Sequence, residues 1–177
     1  QTEKLDFLIQ SLVKLSRMES GIIAVHPEDT AIAQMFASVQ QQFNVKVREK
    51  NITLSLCDTD LHIRCDSKWT VEALGNIVDN AIKYTACGGN VQIKVEQYSF
   101  FVKIDIIDDG IGIEKEEIPK IFGRFYRSLS VADQPGVGIG LFLAREIIQA
   151  QKGYIKVTSK RGKGSTFSVF LPIAKKE

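Results

Sequence analysis

Leu5, Leu8, Leu12 and Leu15 open the chain at intervals of three and four residues, and Ile9 and Val13 widen the apolar stripe. That period is helical and has the heptad form of a coiled-coil or bundle helix. Two readings fit it: a helix packed on the domain that follows, or half of a truncated helical hairpin. Gly21 marks its end, and the run through His26 and Pro27 reads as a linker. Asp29 or Thr30 then stands where a cap is needed, ahead of a second helical face of Ile32, Met35, Phe36, Val39 and Phe43. Ile52 to Leu56 and Leu61 to Cys65 alternate as strands around the turn Asp58-Thr59-Asp60. A third helix is predicted from Ser67 to Tyr84, closed by Cys87-Gly88-Gly89. Strand patterns follow over Val91 to Glu96 and Phe101 to Ile107, then a helix over Ile139 to Gln151, then strands over Tyr154 to Ser159 and Thr166 to Leu171. The sum is an α/β mixture in which one sheet carries helices on one face and two strand pairs are antiparallel neighbours.

Composition narrows this only slightly. Hydrophobic residues at 44% and charged residues at 25% are ordinary for a soluble globular chain. A formal charge of +2, without a basic stripe, points away from nucleic acid as a partner. The apolar runs are far shorter than the ~20 residues that cross a bilayer, and no signal-peptide pattern opens the chain. Cys57, Cys65 and Cys87 form no CxxC pair, so a reducing compartment is expected rather than a disulfide framework or a zinc site.

The candidate chemistry lies in four segments. On the helix from Ser67, the residues Leu74, Ile77, Val78, Ala81 and Ile82 form an apolar face, and Glu72, Asn76, Asn80 and Lys83 line the opposite one. Asparagine is a poor helix former, so two on one stripe point to a task. Amide oxygens ligate Mg²⁺, and an ammonium nearby holds phosphate; a plain solvated face is the alternative. Asp108-Asp109-Gly110-Ile111-Gly112-Ile113 follows a strand, where a carboxylate is well fixed and glycines admit close approach. Gly136-Val137-Gly138-Ile139-Gly140-Leu141 leads into a helix whose first N–H groups suit a phosphate, although it is neither a Walker A loop nor a dinucleotide fingerprint. Gly162-Lys163-Gly164-Ser165 would pass alone as a hairpin turn.

Order and spacing carry more than any one motif. Asn76-x-x-x-Asn80-Ala81-x-Lys83-Tyr84, Asp108-x-Gly110-x-Gly112, Phe122-x-x-Phe125-Tyr126-Arg127, Gly136-x-Gly138-x-Gly140 and Gly162-x-Gly164-Ser165 resemble, in that order, the N, G1, F, G2 and G3 boxes of bacterial sensor histidine kinases. Leu15-Ser16-Arg17-Met18-Glu19-Ser20-Gly21 resembles the end of the second helix of that family's dimerisation domain. The resemblance implies an α/β (α+β) sandwich with a mixed, largely antiparallel sheet and a single amphipathic helix ahead of it. It divides the chain into 1–21, the end of the dimerisation helix, a linker over 22–29, and a catalytic and ATP-binding domain over 30–177. It also implies ATP and Mg²⁺ as cofactors, held between helices under a lid from about Gly123 to Gly136.

Residue by residue, the resemblance implies that Asn80 ligates Mg²⁺ and Asn76 lines the phosphate end beside it. Lys83 would contact phosphate, Tyr84 would pack near adenine, and Asp108 would accept from the adenine amine. Gly110 and Gly112 would let the base come close, Gly136, Gly138 and Gly140 would form hinge and cradle, and Ser165 would stand near the base. Ser128 to Pro135, short, polar and without an apolar stripe, suits a mobile lid; Phe122 and Phe125 would anchor its front end. Arg127, or Arg124, would reach the γ-phosphate or the partner domain. Gln151, Ile139 and Gly123 depart from the family's usual residues at their positions without touching these contacts. Neither His26 nor His62 fits the phosphoacceptor, which the resemblance places on a dimerisation helix absent from this sequence. The implied partners are that dimerisation domain, a cognate response regulator and a second copy of a homodimeric parent, anchored in the bacterial membrane with this domain in the cytoplasm. A hydrolase of the same fold would carry glutamate where Asn76 stands, because an amide takes no proton from water. A stand-alone serine kinase of the anti-sigma type lacks the Phe-Tyr-Arg box and the leading helix. A degenerate, binding-only module is disfavoured by intact Asn80, Lys83 and Asp108.

Overall fold

The computed structural model describes residues 1–21 and 24–173. Ile22 and Ile23, inside the expected linker, and residues 174–177, at the end of the expected domain, lie outside the described residues.

The strongest alternation in the sequence makes the centre of the fold. Along β5 (Phe101–Asp108) every second residue is buried, so Val102, Ile104 and Ile106 face one way. β5 pairs antiparallel with β4 (Asn90–Gln97) and with β7 (Gly164–Pro172). β2 (Thr53–Leu56) adds to β4 in parallel, and β6 (Tyr154–Lys160) adds to β7 antiparallel. The result is a mixed, mostly antiparallel five-stranded sheet in the order β2-β4-β5-β7-β6.

Three helices cover its inner face. α2 (Ile32–Glu49) buries Ile32, Met35, Phe36, Val39 and Phe43, the face its spacing predicts. α3 (Ser67–Tyr84) buries Leu74, Ile77, Val78, Ala81 and Ile82, together with Ala73 and Gly75. α4 (Gly140–Ala150) buries Phe142, Leu143, Ile147 and Ile148. Most of these meet Val91, Ile93, Val169 and Leu171 of the sheet in one core, where each fully buried aliphatic side chain contributes about 1.5–3 kcal/mol. An α+β sandwich is therefore what the pattern builds.

Several local expectations are corrected. Asp29 and Thr30 do not cap α2: both lie in β1 (Glu28–Ala31), which pairs with β3 (His62–Cys65), and Ala31 precedes the helix without a side-chain cap. The Thr30 hydroxyl instead donates to the Cys65 carbonyl at 3.2 Å. β1 also begins inside the stretch expected to be a linker. The strands flanking Asp58-Thr59-Asp60 do not pair with each other, because β3 joins the two-stranded sheet and β2 the large one. His62 is exposed, its Nδ1 lying 3.0 Å from the Asp29 carboxylate.

α1 (Thr2–Glu19) lies against this body. Leu15 and Ser11 are buried and Leu8 is half-buried, whereas Leu5, Ile9, Leu12 and Val13 face solvent. The four-leucine seam is thus split between two faces. Lys14 reaches Glu72 of α3 at 2.8 Å, and Glu19 pairs with Arg124. No helix among the described residues is long and apolar enough to cross a membrane.

Candidate functional site

A cleft, about 1120 Å³ with its open mouth, lies between α3, the end of β5, the turns over 111–138 and the start of α4. Asn76, Asn80, Lys83, Tyr84, Asp108, Gly112, Arg127, Gly136, Gly138, Gly140 and Ser165 all line it. Segments far apart in the sequence meet here because β5 ends where α3 and α4 come together.

Asp108 is the cleft's buried carboxylate. Alternation along β5 carries it to the inner face, where it is 8% exposed, while Asp109 turns outward. The Gly110 N–H donates to Asp108 Oδ1 at 2.9 Å, and burial pushes the carboxyl above its usual range, opposed by N–H donors from Gly110 and Ser165. Around it stand Ile111, Ile113 and Phe167. A carboxylate has about four lone-pair directions, so this one keeps acceptor capacity for a donor entering the cleft. Asp109, by contrast, accepts from the backbone N–H and the side-chain amide of Asn90, both at 2.9 Å, and these bonds hold its carboxyl below the usual range. Neighbours of identical chemistry are divided into a site residue and a structural one.

The opposite wall is the polar stripe of α3. Asn76 Nδ2 is shut from solvent and has no hydrogen-bond partner, an arrangement that costs about 1–3 kcal/mol when nothing fills it. A Cβ on Gly140 would lie 3.7 Å from Asn76 Cβ, so Asn76 sits beside the first turn of α4. That turn has no side-chain cap, and its free N–H groups with the helix dipole favour an anion. Lys83 lies 3.7 Å from Asp79 across one helical turn; burial lowers its pKa, and Asp79 opposes that shift. Glu72, on the same stripe, is drawn off to Lys14 and lies outside the cleft.

Two glycines hold the rim in backbone conformations that other residues rarely adopt. Gly136 (φ +148°) leaves room for the Lys83 ammonium, 3.2 Å from where a Cβ would be. Gly138 (φ +79°) is pressed against the backbone of Phe125 and Tyr126, and its carbonyl accepts from the Phe125 N–H at 2.9 Å. Gly110 departs from its expected part: it does not line the cleft, and its missing Cβ makes way for the Tyr84 carbonyl. Gly112 lines the cleft with φ +71°, and a Cβ there would collide with the Lys160 carbonyl.

The loop over the cleft has its own ties. Arg127 donates to the carbonyls of Val131, at 2.9 Å, and Gln134, which closes the loop on itself at the cleft wall. Arg124 turns away to Glu19 of α1 and lies over the Phe142 ring at 4.7 Å. Sequence reasoning missed Asp79, three residues after Asn76 and four before Lys83 on the same helix. It also missed the apolar wall of Ile111, Ile113, Ile121 and Val137, which no polar motif marks.

Among the described residues no group of three or more His, Cys, Asp or Glu is placed to hold a metal. A divalent ion here would rest on the Asn80 amide oxygen, waters and the oxygens of a bound phosphate. This suits Mg²⁺, which binds through few protein ligands and keeps several waters.

Residues 65–175 match the family described as histidine kinase-, DNA gyrase B-, and HSP90-like ATPase. The sensor histidine kinase WalK of Bacillus subtilis (strain 168) is 33% identical over 177 residues, covering 97% of this chain and 29% of WalK. The structure of the Acinetobacter baumannii histidine kinase AdeS superposes with a TM-score of 0.82 at 25% identity, covering 99% of this chain and 81% of that one. The catalytic domain of the histidine kinase ThkA gives 0.73 at 26% identity over 84% of this chain and 96% of its own. The chain thus spans less than a third of WalK. With a buried carboxylate facing an asparagine–lysine helix inside this sandwich, the chain belongs to the histidine kinase-, DNA gyrase B- and HSP90-like ATPase family.

Proposed function

We propose that this chain binds Mg²⁺-ATP and serves as the catalytic domain of a sensor histidine kinase, directing the γ-phosphoryl group to a histidine outside it. The observation that carries the reading is the pairing of Asp108, buried with spare acceptor capacity, with Asn76, Asn80 and Lys83 across one cleft. Asp108 accepts from the adenine amine, a charge-assisted bond that a guanine carbonyl would turn into repulsion. Gly110 keeps its N–H on that carboxylate, and Gly112, Ser165 and Tyr84 border the base. The α4 amides at Gly140 meet phosphate oxygens, and Asn76 lines that end of the cleft beside them. Lys83 adds a fixed positive charge there, and Arg127 lies on the same wall. Asn80 is the magnesium ligand, and Mg²⁺ when bound offsets phosphate charge. Gly136 and Gly138 let the covering loop approach the ligand and Lys83.

The family also contains ATPases, and Asn76 favours transfer over hydrolysis: its amide cannot act as general base toward water. In this reading residues 1–21 end a dimerisation helix, a short linker follows it as far as β1, and the chain from β1 onward forms the catalytic domain. A longer, homodimeric and membrane-anchored protein supplies the acceptor histidine and relays phosphate to a response-regulator aspartate.

The test is labelling with γ-³²P-ATP. The chain alone acquires no acid-labile phosphate, because neither His26 nor His62 lines the cleft. A separately added dimerisation domain carrying the histidine becomes labelled, slowly, since tethering no longer raises its effective concentration. Rapid release of inorganic phosphate with no labelling of that domain would sink the transfer reading.

A further inference from the structure

Lys46 lies outside every motif that marks the cleft, yet its ammonium ends on Asp79, which lines it. It projects from α2 and meets Asp79 Oδ1 at 2.5 Å, while Lys83 stands 3.7 Å from Asp79 Oδ2. One carboxylate therefore has two lysine neighbours and is closely bonded to only one. The stem of Lys46 is set by its own helix: three residues earlier, the ring of buried Phe43 lies under the ammonium at 5.8 Å. Asp79 borders both the cleft and the groove that Lys46 helps to line.

We infer that Lys46 is a positioning residue, which occupies Asp79 and so leaves the Lys83 ammonium available to phosphate. The inference rests on the nucleotide reading above. Without Lys46, the Asp79 carboxylate is one side-chain torsion from a close i,i+4 ion pair with Lys83. Each N–H of Lys83 committed to Asp79 is one fewer for a phosphate oxygen. Asp79 would then act as a resident anion that competes with the incoming one. The burial that lowers the Lys83 pKa sharpens this competition, because a desolvated ammonium seeks the nearest counter-charge.

The test is calorimetric titration of the full chain with ATP and, separately, with adenosine, which lacks phosphate. Lys46→Met is expected to weaken ATP about three- to fivefold, the scale of a partly exposed ion pair, and to leave adenosine unaffected. Lys46→Arg, which keeps the charge on Asp79, binds ATP like the wild type. The double variant Lys46→Met, Asp79→Asn removes the competing carboxylate and regains ATP affinity to within about twofold. ATP binding unchanged in Lys46→Met overturns the inference, and so does a double variant as weak as the single one. Equal losses for ATP and adenosine overturn it too, since they mark a merely structural effect. A wild type that binds neither compound removes the nucleotide reading itself, whereas normal wild-type binding with no Lys46 effect removes this role alone.

Discussion

Asp108 and Asp109 show how far a single residue type is from a role. Both carboxylates stand in the same motif, and only the alternation of β5 sends Asp108 inward and Asp109 to Asn90. Burial raises the Asp108 pKa, so the folded state favours the protonated acid. The stability this confers is present at low pH and lost as pH rises through the raised value. At neutral pH ionised Asp108 costs the empty domain, and a donor from the ligand offsets that cost. Asp108→Asn is therefore expected to weaken ATP binding by about 1.5–3 kcal/mol, to narrow the gap to GTP, and to leave thermal stability at neutral pH no lower. If Asp108 is the adenine acceptor, binding needs its ionised form, so wild-type affinity should fall as pH drops through the raised Asp108 range, at higher pH than an ordinary carboxylate would require, and the Asn variant should lack that component. Calorimetry across that range checks both, and parallel pH profiles would count against Asp108 as the adenine acceptor.

At the scale of elements, α3 is the piece that joins fold to site. Its apolar face was legible because helical spacing alone separates Leu74, Ile77, Val78, Ala81 and Ile82 from Asn76, Asn80 and Lys83. Its start at Ser67 was legible too, and the structure supplies the reason: Asp66 accepts from the Trp69 N–H at 3.2 Å as an N-cap. The same carboxylate accepts from the His26 N–H at 3.0 Å, and the Asp66 N–H donates to buried Gln151 at the end of α4. The departure at Gln151 thus serves to tie two helix ends together. Asp66→Ala should lower unfolding stability by about 1–2 kcal/mol and leave ATP affinity within about twofold, because the cap lies at the end of α3 opposite Lys83. Denaturant unfolding and titration separate the two effects. A loss of ATP binding larger than the loss of stability would contradict this division. The cap of α2 was misread for a related reason: Asp29 and Thr30 have cap chemistry, but pairing with β3 claims their backbone first.

For the whole molecule, the notable surface feature is the exposed apolar side of α1. The body covers Leu8, Ser11 and Leu15, and leaves Leu5, Ile9, Leu12 and Val13 at 57%, 50%, 38% and 44% exposure. Apolar side chains at these spacings form a continuous stripe on one side of a helix. Sedimentation should therefore show weak, concentration-dependent self-association of the chain. The variant Leu5→Gln, Ile9→Gln, Leu12→Gln should stay monomeric with ATP binding intact. Identical sedimentation of the two at high concentration would show that the stripe does not drive contact.

The sequence by itself determined the elements and two of the helix faces, because burial periodicity is local: α2 and α3 bury the residues their spacing marks, and α4 and β5 form where the pattern put a helix and a strand. It also determined which side chains were candidates, since paired asparagines on a helix and glycines at fixed intervals are costly without a purpose. Pairing was decided only by the tertiary structure. β2 and β3 look alike in pattern and go to different sheets, because a strand's partner depends on which edge is free after the core has closed. Competition for a partner is likewise invisible along the chain. Arg124 is taken by Glu19, Glu72 by Lys14 and Asp79 by Lys46. Each pair joins residues distant in sequence, and which charges remain for a ligand follows from which ones the fold has already brought together.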